Sequence, residues 1–301
     1  MSAMSDPATL PAEPIASATP PVQSHTVRLG SKDIHYAETG RGAPVLLLHG
    51  GGPGASGLPN YARNVAALAR QFRVIVPDLP GYGRSTKGLS RSDPFGDCAA
   101  SMLALLDHLK LRRVVVVGNS LGGACALRMA LDQTPRIAGL VLMGPGGIDT
   151  TRSLPTKGLK QLLDYYSGEG PTRDKLRTFI RESLVYDGSQ IPDSLIDARF
   201  QASIDPAVVA QPPLVRPKGL PTFRLVDFTR DSRLAELRTP TLVLWGTEDK
   251  VNRASGAHSL QRRMSHCDAY LFSRTGHWVQ WERADEFNAA VIAFAQQHLK
   301  A

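Results

Sequence analysis

The sequence is short of cysteine, of clustered charge and of repeats, and each shortage removes a class of protein. Its three cysteines, Cys98, Cys125 and Cys267, are odd in number and lack metal-ligand spacing. A disulfide scaffold and a thiolate metal site are set aside, and free or buried thiols in a reducing compartment are expected. Lys and Arg total 35 against 27 Asp and Glu, for a net charge of +8, yet no basic run exceeds the pairs Arg112-Arg113 and Arg262-Arg263. Nucleic-acid binders cluster their charge, so the expectation is a solvated basic surface, no nucleic-acid partner and a mild bias toward anionic substrates. The first 24 residues are rich in Pro, Ala and Ser, with no basic start and no continuous apolar stretch. They read as a disordered tail, with neither secretory signal nor membrane anchor, on a cytoplasmic protein.

The 301 residues suffice for a sizeable core. "SHTVRL" and "KDIHYAET", split by Gly30-Ser31, predict a β-hairpin. Next come "PVLLLH" with a helix near 58–71, "RVIVPD" with one near 95–109, "RVVVVG" with one near 121–132, and "IAGLVLM". Near-continuous Val/Leu/Ile runs alternating with helices imply a parallel sheet buried on both faces. From 150 to 230 the segments "LKQLLDYY", "RDKLRTFIRESLVY" and "SLIDARF" read as helical, and strand signal resumes at "PTLVLWG" and "DAYLF" before a last helix near 283–298. The expected architecture is therefore an α/β core, residues 25–149 and 231–301. A helical cap, 150–230, is inserted over the strands' C-terminal edge.

"VVVVGNSLGG" places Ser120 inside G-x-S-x-G, after four valines and at the start of an amphipathic helix. That is the setting of a nucleophile elbow, where a sharp turn exposes the hydroxyl. A serine needs a base. Of eight histidines, His277 alone sits in a glycine-containing loop between the last strand and the last helix, where such folds keep theirs. "TLVLWGTEDKVN" offers Glu248 and Asp249 as the acid that orients the imidazole, and Asp249 lies deeper in the loop. "HGGGPGASG", residues 49–57, holds five glycines in nine positions directly after a strand. The P-loop signature G-x-x-x-x-G-K-[ST] is absent. The loop instead suits the second N–H donor for an oxyanion, from Gly51 or Gly52, beside that of Leu121, with His49 orienting it.

"HGGGPGASGLPNY", "GNSLGGACAL", "LMGPGG", "IDARF" and "GHWVQWERADEFN" together resemble the meta-cleavage product hydrolases of the α/β-hydrolase fold, over roughly residues 25 to 300. The resemblance implies carbon–carbon bond hydrolysis in 2-hydroxy-6-oxo-dienoates formed by catechol ring opening, without a cofactor or metal, in a chain that commonly forms homo-oligomers. It matches Ser120, Asp249 and His277 to the triad and Gly51 and Leu121 to the oxyanion donors. Gly52, Asn60, Asn119, Arg199 and Trp278 then surround the dienoate, whose carboxylate and enolate-like oxygen suit a guanidinium and amides. Two positions depart from the pattern: Leu121 stands where methionine is frequent, and Asn252 where proline is common in the acid loop. Proline iminopeptidases and carboxylesterases share the triad order and are the competing activities, but the former need cap acids for a free amino terminus. Dehalogenases and typical epoxide hydrolases would carry an aspartate at 120. A non-catalytic ligand-binding relative would have lost a triad member, and all three are present.

Overall fold

The computed structural model describes residues 21–132, 134–216 and 224–300. Most of the tail read from the sequence lies outside them, and β1 already begins at Gln23, so the chain is ordered slightly earlier than expected. The strands are β1 (Gln23–Leu29), β2 (Lys32–Thr39), β3 (Pro44–Leu48), β4 (Arg73–Pro77), β5 (Val114–Asn119), β6 (Ile137–Met143), β7 (Thr241–Gly246) and β8 (Cys267–Phe272). They form one sheet in the order β1-β2-β4-β3-β5-β6-β7-β8, antiparallel at β1–β2 and β2–β4 and parallel elsewhere. The order reverses between β3 and β5, which are neighbours while β4 lies on the far side of β3. The loops leaving β3 and β5 diverge there and open a crevice at the strands' carboxyl ends. The two glycine-rich motifs are those two loops.

The helices are α1 (Gly57–Asn60), α2 (Val65–Ala69), α3 (Pro94–His108), α4 (Leu121–Asp132), α5 (Lys157–Leu163), α6 (Arg173–Thr178), α7 (Asp193–Ser203), α8 (Pro206–Ala210), α9 (Arg233–Glu236), α10 (Ser255–Gln261), α11 (Val279–Glu282) and α12 (Ala284–His298). β5 shows why its valine run suits a central strand. Val114 and Val116 pack with Met102, Leu105 and Leu127 of α3 and α4, while Val115 and Val117 pack with Leu68 of α2 and Val291 of α12. Successive side chains of a strand point to opposite faces, so a strand covered on both sides is apolar throughout.

The helix expected over 58–71 is two short ones. The Asn64 side chain between them donates to Gln280 O and Asn288 Oδ1, and Tyr61 reaches Leu48 O, so long-range bonds replace a continuous helical ladder. Similarly, "RDKLRTFIRESLVY" is α6 followed by a π-helical turn, Phe179–Leu184. Between β6 and β7 the described residues hold helices and no strand. Their apolar side chains, among them Leu162, Leu176, Phe179 and Ile196, cluster with Val251 and Trp278, which follow β7 and β8. This seats the helical segment over the carboxyl edge of the sheet. Cys98 and Cys125 are buried and free, and burial pushes both thiols well up. No helix among the described residues is long and apolar enough to cross a membrane.

Candidate active site

Ser120 has φ +54, a left-handed conformation that costs a residue with a Cβ roughly 1–2 kcal/mol. The surroundings impose it. Ser120 N–H donates to Met143 O at 2.9 Å, and its carbonyl accepts from Ala124 and Gly146. The turn is also too tight for side chains at its flanks. A Cβ on Gly118 would stand 2.3 Å from Gly122 O, and one on Gly122 would stand 2.2 Å from Leu48 O. The glycines of the motif are thus needed for close backbone approach.

His277 is 3% exposed. Its Nδ1–H donates to Asp249 Oδ2 at 2.7 Å, which leaves Nε2 as the unprotonated nitrogen, and His277 and Ser120 line the same slot. Asp249 accepts four hydrogen bonds. Oδ2 takes His277 and Trp245 Nε1 (2.9 Å), and Oδ1 takes the N–H groups of Val251 (2.8 Å) and Asn252 (2.9 Å). Gly144, at φ +46, lies beneath the pair: a Cβ there would be 2.9 Å from Asp249 Oδ2 and 3.0 Å from His277 Nδ1. Asn252, the departure from the family pattern, contributes an N–H that proline lacks, and its Nδ2 donates to Gly144 O. Glu248 turns away and accepts from the Thr247 hydroxyl and the Thr275 N–H, and those bonds hold its carboxyl below its ordinary value.

The loop after β3 runs alongside. A Cβ on Gly51 would lie 3.1 Å from that of Leu121, so the two backbones are neighbours, and Tyr82 Oη holds Gly51 O. Leu121 opens α4, where N–H groups have no intrahelical partner. His49 is fully buried. Nδ1–H donates to Gly50 O and Nε2 accepts from Leu79 N–H, so both nitrogens are committed to loop geometry, and burial lowers its pKa. Ser120, His277, Gly50, Gly51, Gly52, Asn60, Asn119, Arg199 and Trp278 line one narrow slot. Within it, Asn60 Nδ2 and Asn119 Oδ1 are buried with no hydrogen-bond partner among the described residues. Asn119 Nδ2 is committed to the carbonyls of Met143 and His277.

Arg199, on α7, is 8% exposed and has no carboxylate partner among the described residues. Its Nε and Nη2 both donate to Pro53 O, and its guanidinium carbon lies 5.1 Å from the Trp278 ring centroid. Burial pulls its pKa down to about 10, still charged at neutral pH. A buried cation with no anion among the described residues, beside the unpaired Asn60 Nδ2 donor, favours an anionic ligand. Among the described residues no cluster of His, Cys, Asp or Glu could hold a metal ion.

Sequence reasoning missed Trp245, Gly144 and Glu282. Trp245 is one residue before the acid loop, and a buried indole N–H at a strand end is a signal that a nearby acceptor is required. Glu282 carries no such signal, since it looks like a helix-surface acid. It accepts from Gly276 N–H (2.8 Å) and Tyr186 N–H (2.7 Å), tying the His277 loop to the helical segment, while burial raises its pKa from 4.5 to about 7. The folded state therefore holds this proton more tightly than the unfolded chain. Its contribution to stability is full below pH 4.5 and lost as pH rises through 7. Urea midpoints of Glu282→Gln should show a smaller decline over that window than the parent; an unchanged decline would assign it to other groups.

The α/β hydrolase fold family matches residues 44–284. The 2-hydroxy-6-oxo-6-phenylhexa-2,4-dienoate hydrolase of Comamonas testosteroni is 36% identical over 267 residues, 88% of this chain and 91% of that one. The 2-hydroxy-6-oxononadienedioate/2-hydroxy-6-oxononatrienedioate hydrolase of Paraburkholderia xenovorans (strain LB400) is 37% identical over 272 residues, 88% and 91% of the two chains. Among solved structures, a meta-cleavage product hydrolase from Pseudomonas fluorescens IP01, a serine-to-alanine mutant complexed with acetates, superposes with a TM-score of 0.79 at 29% identity, covering 91% of this chain and 97% of that one.

Proposed function

The chain belongs to the α/β hydrolase fold family and, within it, to the meta-cleavage product hydrolases, and from that premise we propose that it hydrolyses the C5–C6 bond of a 2-hydroxy-6-oxo-hexa-2,4-dienoate. The observation that carries the reading is the slot where the His277–Asp249 pair and Ser120 face a buried, acid-free Arg199. Arg199 takes the substrate carboxylate, and Asn60, Asn119, Gly52 and Trp278 frame the conjugated chain. The enol ketonises first: the 2-hydroxyl proton moves to C5, with His277 as carrier. His277 Nε2 then accepts the Ser120 proton as Oγ bonds to C6, and the oxyanion rests on the N–H groups of Gly51 and Leu121. Its collapse breaks C5–C6. The electron pair leaves on C5 as a dienolate conjugated to the C2 ketone, and His277 returns the proton. Water, deprotonated by His277, finally releases the acid from Ser120.

Bleaching of the yellow dienoate chromophore tests this, measured beside proline p-nitroanilide and simple esters. Rapid bleaching is expected; turnover of the anilide or esters without bleaching would sink the assignment. Arg199→Gln should raise KM for dienoates by roughly 30- to 150-fold, the value of about 2–3 kcal/mol for removing one partner of a buried charge contact. A neutral ester should lose far less, and equal losses would mean that Arg199 only supports the fold. Homo-oligomerisation is part of the proposal, supported by Tyr270 and Leu271, 57% and 37% exposed on edge strand β8. Light scattering after gel filtration tests it, and a monomer would refute it. Cytoplasmic residence is proposed from the free thiols.

A further inference from the structure

The last side chain of β7 before the acid loop is Trp245, which carries a polar N–H into the interior. Val243, on the same face two residues earlier, joins the core with apolar atoms alone. A buried indole N–H needs a partner, and the packing decides which one. Trp245 is 1% exposed and lies close against α10, where a Cβ on Gly256 would stand 2.5 Å from ring atom Cη2. Held this way, its Nε1–H donates to Asp249 Oδ2 at 2.9 Å and shares the same hydrogen with Asn252 O at 3.2 Å.

Of the two carboxylate oxygens, the indole reaches the one that His277 Nδ1 also reaches, at 2.7 Å. The other oxygen is taken by the backbone N–H groups of Val251 and Asn252. Two donors on one oxygen compete for its charge. The indole, which does not titrate, stabilises the carboxylate and takes up part of the attraction it offers to a proton on His277. Less attraction means less imidazolium at a given pH, and more of the neutral ring that can accept a proton from Ser120.

Resting on the triad of the preceding section, we infer that Trp245 is a positioning residue of the cleavage reaction: its N–H fixes the shared oxygen of Asp249 and sets the pH at which His277 becomes available as base. Trp245 acts through Asp249. Other ionisable groups also face His277. Arg199 lines the same slot, and Glu282, which accepts from Gly276 N–H, has its pKa raised to about 7 by burial.

The test compares the parent with Trp245→Phe and with a protein carrying benzothienylalanine at position 245. The second replacement keeps the size of the indole and lacks only the N–H, so it removes the bond without opening a cavity. kcat/KM is followed against pH for p-nitrophenyl acetate, which does not titrate, and for release of the acid from a dienoate. Both replacements should move the acid limb upward by roughly 0.5–1 pH unit, so that kcat/KM on the acid side falls about 3- to 10-fold. The position of the limb is the readout, because a partly unfolded sample lowers the whole curve without displacing it. The displacement should persist when each replacement is combined with Glu282→Gln. A limb that stays in place with benzothienylalanine overturns the inference, and so does one that moves only while Glu282 is present. If the ester shows the displacement but no dienoate is cleaved, the inference stands and the dienoate reading fails. Ester turnover that survives Ser120→Ala would remove the triad, and the inference with it.

Discussion

Replacing Ser120 by alanine is expected to cut dienoate cleavage by roughly 10⁶-fold in kcat, and adding His277→Ala should cost almost nothing more. In the cleavage step, which follows ketonisation, nucleophile and base act as a unit, because His277 then has no serine proton to take and Ser120 without its base stays a neutral alcohol. The variant should still fold. The turn at 120 is held by main-chain bonds to Met143, Ala124 and Gly146, none of which involves the hydroxyl. Single-turnover release of the acid product by the two single variants and the double would check this. A Ser120→Ala rate within tenfold of the parent would place the nucleophile elsewhere, and multiplicative losses would separate the two roles.

Asp249→Asn should cost about 10⁴ in kcat, a larger loss than a missing charge on a solvated loop would explain. Each carboxylate oxygen accepts two donors: Trp245 Nε1 and His277 Nδ1 on one, Val251 and Asn252 N–H on the other. An asparagine must aim its NH₂ at one of these pairs. If it faces His277, the imidazole has to turn its other tautomer toward Asp249 and loses the lone pair that serves Ser120. If it faces the loop, two backbone donors are left unsatisfied in a buried place, about 1–3 kcal/mol each. Kinetics and urea unfolding on the same variant distinguish the two: rate loss with intact stability marks the first, and combined loss the second. An activity within tenfold of the parent, at unchanged stability, would mean that another acid orients His277.

The parts readable in advance were those governed by near neighbours along the chain. Four valines followed by G-N-S-L-G specify a buried strand, a turn that admits only glycine at its flanks, and a helix start, whatever else surrounds them. A histidine in the loop after the last strand, and an acid in the loop after the strand before it, inherit their places from the strand order. The helix over 58–71 failed because Asn64 finds better partners in α11 and α12 than in its own helical turn. Among the helices between β6 and β7, propensity located the elements but not the π-helical turn at Phe179.

The sequence by itself determined the α/β alternation, the elbow at Ser120 and the order of serine, acid and histidine, since turn chemistry and hydrophobic period act over a few residues. Only the tertiary structure decided that Arg199 is buried without an acid among the described residues and that Glu282 clamps the His277 loop. The same holds for Ser120, which borders both the narrow slot it shares with Arg199 and a second, larger cavity. Arg199 meets Pro53 across 146 positions and Glu282 meets Tyr186 across 96. The desolvation that gives such groups their chemistry arises only when distant segments pack and exclude water.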